Sequence, residues 1–387
     1  MSALDLALSL LALPLLLAAT YLGVLALASR RRDPLRPAGP RLRFDVVVPA
    51  HDEERGIAAT LATVTPQLRP RDRLVVVADN CSDATADVAR AAGADVFERS
   101  DDVHRGKSFA IASGVTYLAA NEPDIVIVVD ADCRVEAGAV DALRAAAVER
   151  PAQAAYVMHA PDGAPPTRRL AELLFVVRNV VRPLGLARLG APCLLTGAGM
   201  AFPWSLIRGA PLASGSVVED LQLAIDLAAD GTPPRFCGAA RVTSVFPVGE
   251  PAAAAQQTRW LWGVLRAMAQ APRLVAAAVR HRQPSLLALA AELAVPPLTM
   301  LFAAWTLLVA LAVVVGLSAH DWRPALAAAA GLAACALAIV AAWLRFARDR
   351  VPASVVLGAP LYALPSLRAA LVALTRRRQE WNRTERD

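Results

Sequence analysis

The stretch "DIVIVVDADC", residues 124–133, decides how the chain is read. The branched apolar residues Ile125–Val129 run straight into two carboxylates, Asp130 and Asp132, separated only by Ala131. A run this short and this apolar is a strand buried on both faces, as in parallel α/β sheets. Such sheets bind ligands beyond the carboxyl ends of their strands, so the acids stand at the expected binding edge. Two carboxylates one residue apart can serve a divalent metal and a neighbouring hydroxyl, and hard oxygen donors suit Mg²⁺ or Mn²⁺. The plainer reading is a strand-end turn in which Asp caps the next helix.

Outward from this point the texture repeats. Phe44–Pro49, Arg73–Ala78, Ala94–Glu98 and Ile125–Asp130 read as strands. Ile57–Leu68, Ala84–Ala92 and Lys107–Ala120 read as helices. This alternation predicts an α/β domain with a parallel sheet over residues 44–250, with mixed elements after Pro151. The first strand leads into His51, Asp52, Glu53 and Glu54, and the second into Asp79 and Asp83. One acidic loop could be helix capping. Three delivered to the same edge argue for a nucleotide and metal site.

The composition is 56% hydrophobic and 19% charged over 387 residues, which points to membrane segments in part of the chain. Lys107 is the single lysine; every other basic residue that contributes to the net charge of +6 is Arg. The five cysteines are scattered without a C-x-x-C pair, which implies free thiols in a reducing compartment. Leu6–Ser29 is apolar, is followed by Arg30–Arg32, and is long enough at 1.5 Å per residue to cross a hydrocarbon core of about 30 Å. A cleaved signal peptide would carry its charge before a shorter apolar run. The basic cluster puts its own side in the cytoplasm.

A basic, proline-rich linker occupies 30–43. Gln256–His281, within a segment 251–285, reads as an amphipathic, Trp-bearing interfacial helix, with packing on the globular domain as the alternative. The region 286–374 contains two expected spans, Leu293–Ala319 and Ala325–Trp343. It also holds Val351–Leu367, whose prolines and basic flanks suggest a re-entrant or interfacial segment, a third C-terminal span being the alternative. A basic tail, 375–387, closes the chain.

In this order and with these flanks, the set resembles the membrane-integrated family 2 glycosyltransferases. Their catalytic domain has the GT-A fold, a Rossmann-like nucleotide-diphospho-sugar transferase domain. The branch holds cellulose, hyaluronan and poly-N-acetylglucosamine synthases and ceramide glucosyltransferases. "VVVPAHDEE" resembles the family's first strand and nucleotide loop, which implies donor contacts at Pro49, His51 and Glu53. "VVADNCSD" resembles the second, which implies that Asp79 reads the uracil; many members have two acids where this chain has Ala78 and Asp79. "HRGKSFA" resembles the R-G-K segment and holds Lys107. "VVDADC" resembles the D-x-D, which implies that Asp130 and Asp132 hold the metal and the sugar diphosphate. "VVED", Val217–Asp220, resembles the T-E-D motif with Val218 for Thr, which implies Asp220 as catalytic base beside Glu219. "QQTRW" fits Q-x-x-R-W and assigns Gln256, Arg259 and Trp260 to the donor. "LLTGAGMAFPW", residues 194–204, matches the family's acceptor-lining segment, which implies acceptor contacts at Thr196, Gly197, Gly199 and Trp260. The terminal "WNRTERD" resembles the tail of many bacterial members.

The chemistry is consistent with that resemblance. A departing diphosphate needs charge stabilisation, from a metal at Asp132 and a guanidinium such as Arg259. The acceptor hydroxyl needs a base on the opposite face of the sugar, the role of Asp220 in one inverting displacement. Glu219 beside it would raise its pKa by like-charge repulsion. Read alone, the pair is simply acidic residues at the start of the helix Leu221–Ala229. Trp260 reads as a sugar platform or as an interface anchor.

The resemblance implies a multi-pass enzyme of the inner membrane with a cytoplasmic active site. It implies a UDP-sugar donor, a glycan or lipid acceptor, a polysaccharide or glycolipid product, Mg²⁺ or Mn²⁺, and no nucleic acid. Few spans favour a lipid acceptor, a short product or partner subunits for export. The competing class is a scaffold or sensor that binds nucleotide sugar without turnover. A transporter fits poorly, because ionisable residues are scarce in the spans and Glu292 lies near a span end.

Overall fold

Eight strands form one mixed sheet: β1 (Phe44–Ala50), β2 (Arg73–Asp79), β3 (Asp95–Arg99), β4 (Ile125–Val128), β5 (Arg134–Val135), β6 (Ala152–His159), β7 (Met200–Pro203) and β8 (Arg235–Val245). They come from a computed structural model that describes residues 3–29, 42–213, 218–247 and 250–361. Arg30–Arg32, most of the 30–43 linker, Val217, the second part of Val351–Leu367 and the tail with "WNRTERD" lie outside the described residues.

The strand order is β3-β2-β1-β4-β7-β6-β8-β5. The first four strands are parallel, as the sequence predicts. Beyond them the sheet is mixed: β7 runs antiparallel to β4 and β6, and β5 antiparallel to β8. The reversal has a consequence for the site. Parallel strands end at the binding edge, whereas β7 begins there, so the loop before it, Thr196–Gly199, is delivered to the same edge. Gly199 N–H donates to Val128 O at 3.0 Å and fixes that junction.

Several expected elements are shorter than predicted, two of them for a visible reason. β4 stops at Val128, and Cys133 N–H then closes a turn onto Asp130 O at 3.1 Å. The helix from Ile57 ends at Val64 and continues only as a single tighter turn, Thr65–Gln67, because Pro66 has no N–H to extend it.

Alternation along β1 sends Phe44, Val46 and Val48 to one core layer and Val47 to the other. The helix Lys107–Leu118 covers the second face so closely that a Cβ on Gly114 would stand 2.8 Å from Val47. That contact sets where Lys107, the first residue of the helix, can reach.

The helices Ala3–Ala28, Leu298–Ala319 and Arg323–Phe346 pack together apart from the sheet core. Each contains a stretch long and apolar enough to cross a membrane. Leu17, Leu307 and Leu326 point outward from this bundle. The second span starts later than predicted, since Pro296 and Pro297 separate the short helix Ser285–Ala294 from the one that begins at Leu298. Arg345 donates to Ala26 O at 2.6 Å, and Tyr21 donates to Glu292 at 3.0 Å. These ties bring the end of the first apolar helix, the approach to the second and the end of the third to one side, the side of the sheet.

Trp305 is fully buried against Gly331, where an added Cβ would lie 2.1 Å from its ring. Gly331→Ala is therefore expected to cost about 1–3 kcal/mol of stability by overpacking. Thermal unfolding in detergent checks this. Adding Trp305→Leu should restore part of the loss, whereas strict additivity of the two changes would contradict this packing.

Between sheet and bundle lies a continuous seam: the helix Pro166–Val176, a π turn Val177–Val181 and the helix Arg182–Arg188. A Cβ on Gly185 would stand 2.5 Å from Leu25 O, so this seam touches the first apolar helix backbone to backbone. Buried Glu172 accepts from Ala160 N–H at 2.9 Å and Arg350 Nε at 2.7 Å, and His159 Nδ1 lies 2.8 Å away. It thus ties the end of β6 to the segment after the third apolar helix.

Candidate active site

The single lysine is the hub. Gly106, with a φ of +112°, provides the turn that no other residue adopts without strain, and Lys107 follows as the first helical residue. Its Nζ lies 2.5 Å from Asp130 Oδ1 and 3.8 Å from Glu219 Oε1, and it donates to Gly197 O at 2.9 Å. Gly197 has a φ of +95°, and a Cβ there would stand 3.2 Å from Asp220 Oδ2. Five residues expected from the sequence, Lys107, Asp130, Gly197, Glu219 and Asp220, are thus gathered at one point. Burial works against the lysine's charge, but Asp130 and Glu219 outweigh it and hold the ammonium above its ordinary range.

Asp132 accepts from Ser244 Oγ at 2.7 Å. Thr60 Oγ1 donates to Ala131 O at 2.6 Å and pins the turn between the two acids. One donor atom from each of Asp130, Asp132 and Cys133 lies within 4.8 Å of the others. Burial, and then the Asp130 charge, push the Cys133 thiol well above its ordinary range, so it stays protonated. That leaves two carboxylates as donors, a hard oxygen set that fits Mg²⁺ or Mn²⁺.

Glu219 and Asp220 form the first turn of the helix Glu219–Ala229, where the helix dipole favours negative charge. Asp220 Oδ1 accepts from Leu221 N–H at 2.7 Å. That contact is what the plain helix-start reading expects. Burial raises Glu219 to about 7, with Lys107 opposing and Asp220 adding to the rise. Asp220 is raised for the same leading reason, with Lys107, the Leu221 N–H and Arg178 opposing.

A raised acid binds its proton more tightly in the folded state than in the unfolded chain, where a glutamate titrates near about 4.3. The associated stability is present below that value and is lost as pH rises to about 7. Glu219→Gln should flatten the fall in unfolding midpoint across that window. An unchanged slope would show that Glu219 does not titrate there.

A second cluster occupies the tips of β1 to β3. Asp79 Oδ1 accepts from Arg99 Nη1 at 2.5 Å and from Asn80 Nδ2 at 3.0 Å. Arg99 also holds Asp101 at 2.8 Å and His104 O at 2.6 Å. His51 Nδ1 lies 2.7 Å from Asp79 O, and Asp52 accepts from Ser82 N–H at 2.6 Å. Thr85 Oγ1 accepts the N–H of Glu53 at 2.7 Å. Pro49 pairs with Val77 inside the sheet, so of the expected first-loop residues it is strand and not tip. β1 stands between β2 and β4, so the Asp79 and Asp130 ends are two strand spacings apart, about 10 Å.

The acceptor segment divides. Gly197 faces the acids. Gly199 does not serve close approach of a sugar: a Cβ there would lie 2.7 Å from Ala154 Cβ and 2.8 Å from Val242, so this glycine lets the sheet close. Buried Gln153, which sequence reasoning missed, accepts from Thr196 N–H at 2.9 Å and donates to Ala198 O at 2.8 Å. It positions the loop from beneath. Thr196 Oγ1 is buried with no hydrogen-bond partner among the described residues.

The Q-x-x-R-W residues lie on the helix Glu250–Met268. A Cβ on Gly263 would stand 2.3 Å from Val218, so this helix seats directly on the residue that replaces Thr before the acids. Gln256 is buried, and burial disfavours the charge of half-buried Arg259. Trp260 packs on Phe175 at 6.0 Å between ring centres, which in turn meets Phe246 at 5.8 Å. The single helix expected over Gln256–His281 is two helices, and the second packs one face on the α/β domain, the alternative read from the sequence. The chain breaks near Gln270, and the second helix, Ala271–Arg280, packs Leu274 and Ala277 against Leu221 and Ile225. Arg273 pairs with Asp226 at 2.6 Å, so packing on the α/β domain is what holds this segment.

Sequence reasoning also missed Arg178. It stands in the π turn and reaches toward Asp220 closely enough for each to influence the other's charge. Its signal was an arginine isolated in the apolar run "LLFVVRNVV".

A sheet of this order, with acids at the tips of its parallel strands and a catalytic-type acid pair on the following helix, defines a GT-A glycosyltransferase fold. The chain belongs to the family described as "Glycosyltransferase like family 2", which matches residues 40–263. Among solved structures, the mannosyltransferase PcManGT from Pyrobaculum calidifontis, in complex with GDP-Man and Mn²⁺, superposes with a TM-score of 0.55. It is 20% identical, and the match covers 90% of this chain and 99% of that one, a likeness of fold. In sequence, the 4,4'-diaponeurosporenoate glycosyltransferase of Staphylococcus aureus (strain USA300) is 38% identical over 90 residues. That match spans 22% of this chain and 23% of the relative, so less than a quarter of either.

Proposed function

We propose that the protein transfers a sugar from a nucleotide-diphosphate donor, a UDP-sugar, to a membrane-associated acceptor by a single inverting displacement. The observation that carries this reading is the gathering of Asp130, Glu219 and Asp220 around Lys107 at the carboxyl edge of the sheet. The two clusters along that edge suit the two ends of a nucleotide sugar. Asp79 and His51 would take the base end, and Asp130 and Asp132 the diphosphate end. PcManGT, of like fold, was solved with a sugar nucleotide and Mn²⁺, which agrees with a divalent ion here.

Asp130 and Asp132 would hold the Mg²⁺ or Mn²⁺, which when bound supplies positive charge to the departing diphosphate. The remaining work falls to the chain's own groups. Asp220 takes the proton of the acceptor hydroxyl, and its raised pKa brings it toward the neutral range that suits a base. Lys107 keeps the neighbouring carboxylates in place and limits their repulsion. Arg259 adds a guanidinium on the diphosphate side. Trp260 borders the acceptor.

The three apolar helices and the gathering of their ends on the sheet side support a catalytic edge held at the cytoplasmic face of the inner membrane. A bundle of three such helices among the described residues favours a lipid acceptor over an extruded polymer.

A radiolabelled donor panel on membranes containing the protein tests this. One UDP-sugar is expected to be consumed with Mg²⁺ or Mn²⁺, its label partitioning into the lipid phase. Asp132→Ala should remove the dependence on added metal together with the turnover. No turnover of any UDP- or GDP-sugar with either ion would overturn the proposal.

A further inference from the structure

Beside the acidic edge a cavity of about 210 Å³ runs between the helix that bears Asp220 and the apolar bundle. Leu221, Gln256 and Trp260 line it together with Pro297 and Leu298, where the second apolar helix begins. Leu170, Leu174 and Phe175 add an apolar wall.

Three guanidiniums reach this cavity: Arg168, Arg178 and Arg182. They are not equivalent. Arg182 is neutralised by Glu292, 2.9 Å away, and also donates to the Glu292 carbonyl at 3.1 Å. Arg168 has an interaction of its own. Arg178 makes no hydrogen bond or ion pair with any described residue. Burial, and then Arg182, work against its charge, while Asp220 and Glu292 favour it from beyond ion-pair distance. An arginine does not shed its proton to escape such a place, so the cation persists. A charge in apolar surroundings is costly unless a partner reaches it. The π turn that carries it, Val177–Val181, is a rare local geometry that recurs at functional sites.

We propose that this cavity is the acceptor site and that it takes an anionic amphiphile bearing the acceptor hydroxyl. The anionic group, a phosphate or a carboxylate, binds Arg178. The hydroxyl faces Asp220, and the hydrocarbon chain follows Leu170, Leu174 and Leu298 to the bundle. A cation without an ion-pair partner among the described residues, beside an apolar wall, selects for both halves of such a molecule. In the transfer the hydroxyl oxygen bonds to the anomeric carbon as the bond to the diphosphate breaks. The proton passes to Asp220, and the electron pair leaves with the nucleoside diphosphate. The assignment rests on the glycosyl-transfer reading above and specifies its acceptor.

The test is displacement of the fluorescent polyene acid cis-parinarate from the protein in a non-ionic detergent. Hexadecyl phosphate, hexadecanoate, hexadecanol and inorganic phosphate serve as competitors. A charge-assisted bond to Arg178 should make at least one of the anionic amphiphiles about tenfold tighter than the alcohol or more, and the better of the two names the headgroup. Arg178→Gln should erase that preference, and Arg178→Lys should keep part of it. Inorganic phosphate alone should not compete, because it lacks the chain. Equal binding of alcohol and anions by the wild type, a preference that survives Arg178→Gln in folded protein, or full competition by inorganic phosphate overturns the assignment. Wild-type donor turnover is measured on the same preparation. Turnover without a charge preference overturns this assignment alone, whereas a charge preference without turnover supports the site for an anionic amphiphile but overturns its role as acceptor and counts against glycosyl transfer.

Discussion

Asp220→Asn is expected to lower the transfer rate by about 10²–10⁴-fold, the usual contribution of a positioned general base. The substitution keeps the size of the side chain and its acceptor oxygen for the Leu221 N–H, now at 2.7 Å, so the helix start survives. UDP affinity should change little, because the Asp79 and Asp130 clusters remain. The rate loss should fall on kcat. The wild-type rate should rise with pH through the raised Asp220 titration, since only the ionised carboxylate accepts a proton. The residual rate of the variant should lose that limb. A variant that retained both the rate and the pH limb would remove Asp220 from the mechanism and leave Glu219 as the nearest candidate.

Lys107→Met carries the second large effect. The lysine is the shared counter-ion of Asp130 and Glu219. Removing one partner of a buried ion pair costs about 3–5 kcal/mol, because it strands the other charge. The Lys107 and Asp130 side chains are 26% and 24% exposed, so solvent screens part of this and the loss should sit at or below the lower end of that range. The sign of the pH effect is fixed. Lys107 lowers both Glu219 and Asp220, so its loss lets both rise further. The activity limb should therefore move to higher pH, and the fall in stability with rising pH should begin from a lower ceiling. Lys107→Arg should recover stability more fully than activity, because a planar fork cannot reproduce the contact with Gly197 O that a compact ammonium makes. A Lys107→Met protein with unchanged unfolding midpoint and pH profile would show that the acids do not depend on it.

Much of the site was legible residue by residue. Asp130, Asp132, Glu219, Asp220 and Lys107 all announce themselves, because strand-end and helix-start positions can be read from local pattern. Gly199 was misassigned for an equally local reason. A G-x-G looks the same whether a glycine admits a ligand or a neighbouring strand, and only the contacts with Ala154 and Val242 tell the two apart. The segment after Gln256 was basic and amphipathic, and nothing local distinguished a membrane surface from the surface of Leu221 and Ile225 as its cover. Arg178 and Gln153 were missed because neither belongs to a motif. Each matters only through residues far away in the chain.

By itself, then, the sequence determined the alternation that makes the α/β sheet, the acids at its edge and the three apolar helices, because periodicity and length are local properties of a chain. Only the tertiary structure decided which acids share the single lysine, that β7 enters in reverse to bring Gly197 to them, and that Arg178, without an ion pair among the described residues, faces the cavity between sheet and bundle. Those facts depend on contacts between segments tens to hundreds of residues apart, and burial and charge compensation are settled there and not along the chain.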